Sequence, residues 1–256
     1  MKRKEMANVI SQKEISEGIF DLQLETGLAC DAVPGQFVGV YPHEGSRLLP
    51  RPISICGIDK GLPSLRLVYR VAGAGTEEIS HLKSGDSVEL IGMLGNGFPI
   101  EKAMDRRSFI IGGGIGLPPL LETAKHIRGE KNIVLGYRNS DTFLLDEFSK
   151  CGNVTIATED GSLGTKGNVI DAIKENALKA DIMFACGPMP MLRALKRFAA
   201  ENKIEAYISL EERMACGVGA CLGCVCRTTH IDDHSHVKNA RICTEGPVFN
   251  AEDVDI

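Results

Sequence analysis

Four cysteines near the carboxyl end of this 256-residue chain have the types and spacing that most directly predict chemistry. Cys216, Cys221 and Cys224 follow the spacing C-x4-C-x2-C, and Cys243 comes later in the chain. This spacing is typical of a plant-type [2Fe–2S] cluster, in which four thiolates converge on two irons. Intervening glycines leave room for main-chain amides to hydrogen-bond the sulfurs. The pattern therefore predicts one-electron transfer, with these four cysteines as the iron ligands.

Other uses of these cysteines are structural zinc binding and disulfide formation. Zinc sites usually place their cysteines in close pairs, whereas this chain has a triplet and a single residue. Disulfides are less expected, because a chain of this length buries a core without them. Cys226 is an alternative fourth ligand, but it follows Cys224 too closely to reach around a cluster. The sequence therefore favours Cys243 in that role.

The composition is that of an ordinary globular protein, with 43% hydrophobic and 25% charged residues. A net charge of −5 gives no positive surface for nucleic acid or an anionic membrane. The basic residues 2–4 are not followed by an apolar segment, so no secretory peptide is expected. No apolar run reaches the roughly 18 residues of a membrane-spanning helix. Nine cysteines without an export signal favour a reduced, cytoplasmic protein.

The spacing of apolar residues changes near residue 100, which predicts two domains ahead of the cysteine-rich end. Short apolar runs between Gly, Pro and Asp predict an antiparallel barrel or sandwich over residues 1–100. Strands that alternate with helices predict a doubly wound parallel sheet over residues 101–210. Residues 211–256 carry the cysteines and little sign of regular structure, so they are predicted to form a small cluster-binding subdomain.

Residues of the first domain predict a phosphate-binding site. Arg51-Pro52-Ile53-Ser54 begins one predicted strand, Val68-Tyr69-Arg70 lies in another, and Gly75-Thr76 begins a short helix. The Arg51 guanidinium can donate two parallel hydrogen bonds to a phosphate. Free amides at the start of the helix favour an anion. Taken singly, each segment is also typical of an ordinary strand or helix cap.

The second domain carries a glycine-rich turn of the kind that binds a dinucleotide. The turn follows a predicted strand, and Pro119 stands where the third glycine of the usual fingerprint would be. A pyrophosphate would contact the amides of Gly113, Gly114, Ile115 and Gly116. Cys186-Gly187-Pro188 follows a later strand, where a buried cysteine before a turn is the simpler interpretation.

An acidic pair predicts which nicotinamide dinucleotide is used. Glu159 and Asp160 follow the third predicted strand of the second domain. Acidic side chains there would bond the ribose hydroxyls and repel a 2′-phosphate, which favours NAD(H). A solvated turn is the alternative for this pair.

In this order the motifs resemble the ferredoxin–NADP reductase superfamily. Over nearly the whole chain they resemble the family of electron-transfer subunits of dihydroorotate dehydrogenase B, including the segment 211–216 that leads into the cysteines and the closing segment 243–249. The resemblance implies a Greek-key flavin barrel that holds FAD, with Arg51 on the phosphate, Ser54 near flavin N5 and Tyr69 near the ribityl chain. It also implies that Cys186 lies near the nicotinamide.

The resemblance implies a function and a partner. Electrons would pass from an FMN-containing catalytic dihydroorotate dehydrogenase subunit through the [2Fe–2S] cluster and FAD to NAD⁺, in pyrimidine (UMP) biosynthesis. The assembly would be a heterotetramer with two copies of each chain. A subunit of a related NAD(P)H–ferredoxin oxidoreductase or sulfide dehydrogenase, or a non-catalytic redox-sensing module, remains an alternative.

The sequence departs from the family pattern between residues 228 and 239, where the segment before the last cysteine is longer and rich in histidine. His230, His234 and His236 stand beside Asp232 and Asp233. These types could bind a metal, but the interpretation we favour is an exposed loop.

Overall fold

The computed structural model describes residues 2–43, 47–231 and 236–256. Its first part is a closed barrel of six antiparallel strands in the order β1-β2-β5-β4-β3-β6. The strands are β1 (Arg3–Ser16), β2 (Ile19–Glu25), β3 (Phe37–Val40), β4 (Arg51–Asp59), β5 (Ser64–Arg70) and β6 (Ser87–Leu94). A 3₁₀ helix (Gly27–Asp31) follows β2, and α1 (Ala74–Ser80) follows β5.

Alternating side chains explain why these segments close into a barrel. In β6, Val88 and Leu90 are fully buried while their neighbours are more exposed, which is the period-two pattern of a strand with one face inward. The inward residues of the six strands form one apolar core. Closure leaves none of these strands at an exposed edge. The expected antiparallel barrel is therefore confirmed.

The second part is a seven-stranded sheet in the order β10-β9-β8-β7-β11-β12-β15. Its strands are β7 (Ser108–Gly113), β8 (Lys131–Tyr137), β9 (Asn153–Thr158), β10 (Thr165–Lys166), β11 (Ile182–Cys186), β12 (Glu205–Ser209) and β15 (Val248–Asn250). All neighbours are parallel except β15, which is antiparallel to β12. The helices are α2 (Leu117–His126), α3 (Leu145–Ser149), α4 (Val169–Glu175) and α5 (Met189–Asn202). The predicted doubly wound sheet is confirmed.

Residues at the amino-terminal ends of two of these helices explain why the helices begin close to the carboxyl ends of the strands. Pro118 and Pro119 occupy the first turn of α2, where a missing N–H costs no helical hydrogen bond. The side chain of Asn168 caps α4 by accepting from the N–H of Ile170 at 2.9 Å. Central strands β7 and β11 are buried along their whole length, as expected for strands covered on both faces.

The carboxyl-terminal part contains a short hairpin and one strand of the neighbouring sheet. The hairpin pairs β13 (Val225–Arg227) with β14 (Asn239–Arg241). Strand β15 lies beside β12, so residues 248–250 belong to the sheet of the second part. The sequence predicted little regular structure in this region and did not predict β15. The division of the chain at residues 100 and 210 stays a prediction.

A charged network joins the barrel to the second part. Arg66 of β5 donates to Asp21 at 2.9 and 2.8 Å and to Glu147 of α3 at 2.6 and 2.8 Å. Asp21 is only 3% exposed, so it depends on this partner for its charge. The hydrogen bond from Arg66 holds the pKa of Glu147 below its usual range. Stabilisation from that pair is therefore present at neutral pH and is lost as the pH falls through the lowered pKa.

The substitution Arg66→Met is expected to destabilise the chain by about 3 kcal/mol, because it leaves the Asp21 charge buried without a partner. Thermal unfolding at neutral pH measures the effect. Arg107→Met is the matched control, since Arg107 and its partner Asp181 are both exposed and their ion pair should contribute little. Equal melting temperatures for the two variants would contradict the role assigned to Arg66.

Candidate functional site

A cleft of about 940 Å³ lies between the barrel and the carboxyl ends of the parallel strands. Both parts of the chain line it, with Arg70 on the barrel side and the turn after β7 on the sheet side. In open parallel sheets ligands bind in the crevice outside these strand ends. A volume of this size fits a ligand of nucleotide dimensions. The cleft is therefore the candidate nucleotide site.

The glycine-rich turn forms one wall of the cleft because its backbone approaches a neighbouring strand end. β7 ends at Gly113, and a 3₁₀ turn over Gly114–Gly116 leads directly into α2. A Cβ on Gly116 would lie 2.5 Å from the main-chain carbonyl carbon and oxygen of Cys186. Only glycine fits such a contact between two backbones. The structure thus brings together eight predicted residues around the cleft: Arg70, Gly113, Gly114, Ile115, Gly116, Glu159, Gly187 and Pro188.

Cys186 lies behind this wall. It is the last residue of β11, and only 1% of its surface is exposed. Burial raises the pKa of the thiol, which is hydrogen-bonded with the side chain of Ser209. Gly187 and Pro188, which follow it, line the cleft directly. Cys186 is therefore a protonated thiol beneath the cleft wall, and its predicted place near a nicotinamide stays a prediction.

The predicted acidic pair separates in the structure. Glu159 lines the cleft. The Asp160 carboxylate instead accepts from the N–H of Ser162 at 2.9 Å and from its hydroxyl at 2.7 Å, closing its own turn. These hydrogen bonds also lower the pKa of Asp160. Glu159 is consequently the acidic side chain of the pair that lines the cleft, whereas Asp160 lies in its own turn, and the contact predicted for each with ribose hydroxyls stays a prediction.

Several residues of the cleft were missed by sequence reasoning. Arg138, Asn139 and Asp141 follow the carboxyl end of β8, a position that could have been read from the parallel-sheet rule. Glu211 also lines the cleft, although it begins the segment that leads to the cysteines. The surrounding walls raise the pKa of the Glu211 carboxyl by desolvation. Glu211 is exposed like Glu212 and Arg213, and no local sequence signal distinguishes it from them.

The predicted phosphate-binding residues of the barrel meet at the start of α1. A Cβ on Gly75 would overlap the Arg51 guanidinium, so this arginine lies directly against the helix start. Arg51 is fixed by a hydrogen bond from Nη1 to the carbonyl of Leu49 at 2.8 Å. The Thr76 hydroxyl accepts from the N–H of Gly73 at 3.2 Å and so holds the turn. The structure therefore places the Arg51 guanidinium beside the turn formed by residues 73–76.

The other predicted barrel residues alternate between the two faces of their strands. Ile53 is buried in the barrel core, whereas Pro52 is exposed and Ser54 is half-buried. On β5, Val68 packs toward α2 and Arg70 lines the cleft.

Tyr69 lies between Val68 and Arg70 and points into the barrel. Its hydroxyl donates to Gln12 Oε1 at 3.0 Å, and its ring stacks on Phe20. The ring is only 3% exposed. The side chain therefore lies inside the barrel, and its predicted place near a ribityl chain stays a prediction.

The four predicted cluster ligands form two thiol pairs. The thiol of Cys221 lowers the pKa of Cys216, and burial and the thiol of Cys224 raise the pKa of Cys243, so the members of each pair are neighbours. Main-chain amides are aimed at the sulfurs: the N–H of Val218 lies 3.5 Å from Cys216 Sγ, and that of Gly223 lies 3.4 Å from Cys221 Sγ. Burial raises the pKa of Cys216, but amides and the neighbouring thiol outweigh it and bring that pKa to about 6. The donor chemistry and amide pattern fit an iron–sulfur cluster.

The alternative ligands lie apart from these pairs. Cys226 is on β13 opposite Ala240 and packs against the core of the second part. His230 and His236 are exposed, while His234, Asp232 and Asp233 fall outside the described residues. Within the described ranges, no three His, Cys, Asp or Glu side chains are grouped closely enough to hold a single metal ion.

Comparison with known proteins identifies the family. Residues 211–255 match the iron–sulfur cluster binding domain of dihydroorotate dehydrogenase B. The chain is 44% identical over 255 residues to the dihydroorotate dehydrogenase B (NAD(+)) electron transfer subunit of Lysinibacillus sphaericus strain C3-41, covering 97% of each chain. The chain belongs to this family of electron transfer subunits. The predicted family and its function in electron transfer are thereby confirmed.

Solved structures confirm the fold of the subunit. It superposes on NADH-dependent reduced ferredoxin–NADP oxidoreductase with a TM-score of 0.86 and 28% identity, covering 98% of this chain and 90% of the other. It also superposes on the flavohem-like FAD/NAD binding domain of nitric oxide dioxygenase from Vibrio cholerae O1 biovar El Tor, with a TM-score of 0.67 and 16% identity, covering 80% of this chain and 98% of that domain. The subunit thus combines an iron–sulfur domain with an FAD/NAD-binding fold.

In the described part of the chain, none of the helices is long and apolar enough to span a bilayer.

Proposed function

We propose that this subunit passes electrons between an FMN-containing catalytic dihydroorotate dehydrogenase subunit and NAD⁺ in pyrimidine (UMP) biosynthesis. A [2Fe–2S] cluster on Cys216, Cys221, Cys224 and Cys243 and an FAD on the barrel would carry them. A flavin exchanges two electrons with a nicotinamide and single electrons with an iron–sulfur centre, which is the chemistry it would supply. The proposed assembly is a heterotetramer with two copies of each chain.

One observation carries the proposal: the cysteine turn is fastened to the same barrel that offers the phosphate site. The N–H of Asn96, just beyond β6, donates to the carbonyl of Gly246 at 2.6 Å. The Asn96 side chain donates to the carbonyl of Glu245 at 2.8 Å. A Cβ on Gly217 would lie 3.3 Å from Leu94 of β6, so the loop before Cys221 also rests on the barrel. Such attachment supports a fixed distance between the cluster and a barrel-bound flavin.

The residues of the chain would bind and orient the cofactors. Arg51, with the amides of Gly75 and Thr76, would hold the flavin pyrophosphate. The turn Gly113–Gly116 would hold the nicotinamide dinucleotide in the cleft, where Glu159 would accept from ribose hydroxyls. Placing both sites on two sides of one cleft would bring their reactive rings together, and no side chain needs to act as a nucleophile or general base.

The isolated subunit is expected to reduce a dye with NADH but not to oxidise dihydroorotate, because the FMN site belongs to the proposed partner. Recombination with the partner should restore dihydroorotate-dependent reduction of NAD⁺, which absorbance at the NADH band measures. Oxidation of dihydroorotate by the purified single chain would refute this division of labour.

The coenzyme preference is expected to depend on Glu159. The substitution Glu159→Gln removes a negative charge from the cleft and with it the repulsion of a 2′-phosphate. We expect the ratio of kcat/KM for NADPH to that for NADH to rise by about tenfold, equivalent to about 1.4 kcal/mol. Asp160→Asn is the matched control and should leave this ratio unchanged, because its carboxylate is committed to Ser162. A larger change of this ratio in the Asp160 variant than in the Glu159 variant would assign the coenzyme preference to Asp160 instead.

A further inference from the structure

Arg241, the last residue of β14, is anchored to the turn that carries Cys243. Its Nε lies 3.1 and 2.9 Å from the two carboxylate oxygens of Glu245, and its main-chain N–H donates to Glu245 Oε2 at 2.6 Å. The Thr244 hydroxyl donates to the same carboxylate at 3.0 Å. A planar guanidinium bound at several points has a fixed orientation. The anchored guanidinium can therefore hold another hydrogen-bonded group in a fixed position.

The backbone of Arg241 closes the same turn. Its carbonyl accepts from the N–H of Thr244 at 3.1 Å and of Glu245 at 2.8 Å. The next residue, Ile242, donates its N–H to the carbonyl of Cys224 at 2.9 Å. The main-chain bonds to the carbonyls of Arg241 and Cys224 thus fix the backbone on both sides of Cys243. They thereby fix the position of its sulfur.

The remaining arm of the guanidinium reaches the loop of the other cysteines. Arg241 Nη1 donates to the carbonyl of Gly219 at 3.2 Å. Gly219 has a φ of 87°, which favours glycine, and a Cβ there would lie 2.8 Å from the Thr244 side chain. The loop is therefore pressed onto the Cys243 turn, with Arg241 as the polar link between them.

The peptide that Arg241 holds lies in the loop whose amides contact the sulfurs of the proposed cluster ligands. A trans peptide directs its C=O and its N–H in opposite directions. The carbonyl of Gly219 and the N–H of Ala220 belong to one peptide, in the same loop as Val218, whose N–H lies 3.5 Å from Cys216 Sγ. A donor on the carbonyl polarises the peptide and strengthens its N–H as a donor.

We propose that Arg241 is a positioning residue that holds the Gly219–Ala220 peptide against the cluster sulfurs and thereby sets the reduction potential of the cluster. The inference rests on the proposed [2Fe–2S] site. Hydrogen bonds to the ligand sulfurs stabilise the reduced cluster, which carries the greater negative charge, and so raise its potential. Losing the Arg241 contact should therefore make the cluster harder to reduce.

The test is a redox titration, followed by visible and EPR spectroscopy, of the full-length wild type and of Arg241→Met, each purified anaerobically with the partner subunit. We expect the ratio of reduced to oxidised cluster at a fixed potential to fall about tenfold, equal to about 59 mV for one electron. Cluster bleaching by a chelator should also be faster. Arg241→Lys, which keeps the charge without the planar fork, should shift the midpoint in the same direction by less.

Arg227→Met is the matched control, because Arg227 is an exposed arginine on β13 of the same hairpin. It should titrate like the wild type. Wild-type midpoints in both Arg241 variants would overturn the proposal, even if their melting temperatures fell, and if Arg241→Met fails to fold the lysine variant decides. Absence of a [2Fe–2S] signal from the wild type itself would instead refute the proposed function, so the two failures are distinguishable.

Discussion

The substitution Cys224→Ser is expected to abolish dihydroorotate-dependent reduction of NAD⁺, by more than about 100-fold, in the complex with the partner subunit. Cys224 is 2% exposed, its thiol neighbours that of Cys243, and its carbonyl accepts from the N–H of Ile242. A serine oxygen replaces a thiolate poorly at an iron–sulfur centre, and the buried position leaves no room for another side chain to take its place.

The measurement combines three assays on the Cys224 variant. Iron and acid-labile sulfide should fall far below wild-type content. NADH-dependent dye reduction should persist, because the flavin and nucleotide residues are untouched. Cys226→Ser is the matched control: it removes a thiol from the neighbouring strand and should retain both sulfide and the complete reaction. The reverse pattern, with Cys226 essential and Cys224 dispensable, would contradict the ligand assignment.

A second large effect is expected from Gly116→Ala. The new methyl group would stand 2.5 Å from main-chain atoms of Cys186 and Gly187, and neither backbone can move without disturbing a fully buried strand. Overpacking of this kind costs about 1 to 3 kcal/mol of stability. Because the turn itself is the proposed dinucleotide cradle, kcat/KM for NADH should fall by more than about tenfold.

Gly113→Ala gives the matched control in the same turn. Its methyl group would first meet the Met191 sulfur at 2.8 Å, and a thioether side chain can move aside. Melting temperature and NADH kinetics should therefore change less than in the Gly116 variant. If both alanine variants keep wild-type stability and kinetics, the close approach of the turn to β11 does not constrain the site.

The parts of the subunit that could be predicted are those in which functional residues lie close together in the sequence. The turn Gly113–Gly116 and the segment Cys186–Pro188 were identified as separate patterns, and the parallel sheet brings them together because its strand ends meet at one edge. Arg51 and Gly75 also lie together, because β4, which begins with Arg51, is the neighbour of β5 in the barrel and α1 follows β5 in the chain. Periodicity therefore predicted both parts of the fold, and the local motifs predicted part of the lining of the cleft.

Features that depend on distant contacts could not be predicted. β15 is only three residues long and becomes a strand because β12 offers it a free edge. Glu211 reaches the cleft, and Arg241 the cysteine loop, through tertiary packing alone. Long-range geometry therefore decides these roles.

The central claim is that the carboxyl-terminal cysteines hold an iron–sulfur cluster beside a flavin-binding barrel. Elemental and sulfide analysis of anaerobically purified wild-type subunit, with an EPR spectrum after reduction by NADH, tests it most directly. We expect about two irons and two acid-labile sulfides per chain, one FAD, and a [2Fe–2S] signal that appears on reduction. Stoichiometric zinc without sulfide would contradict it.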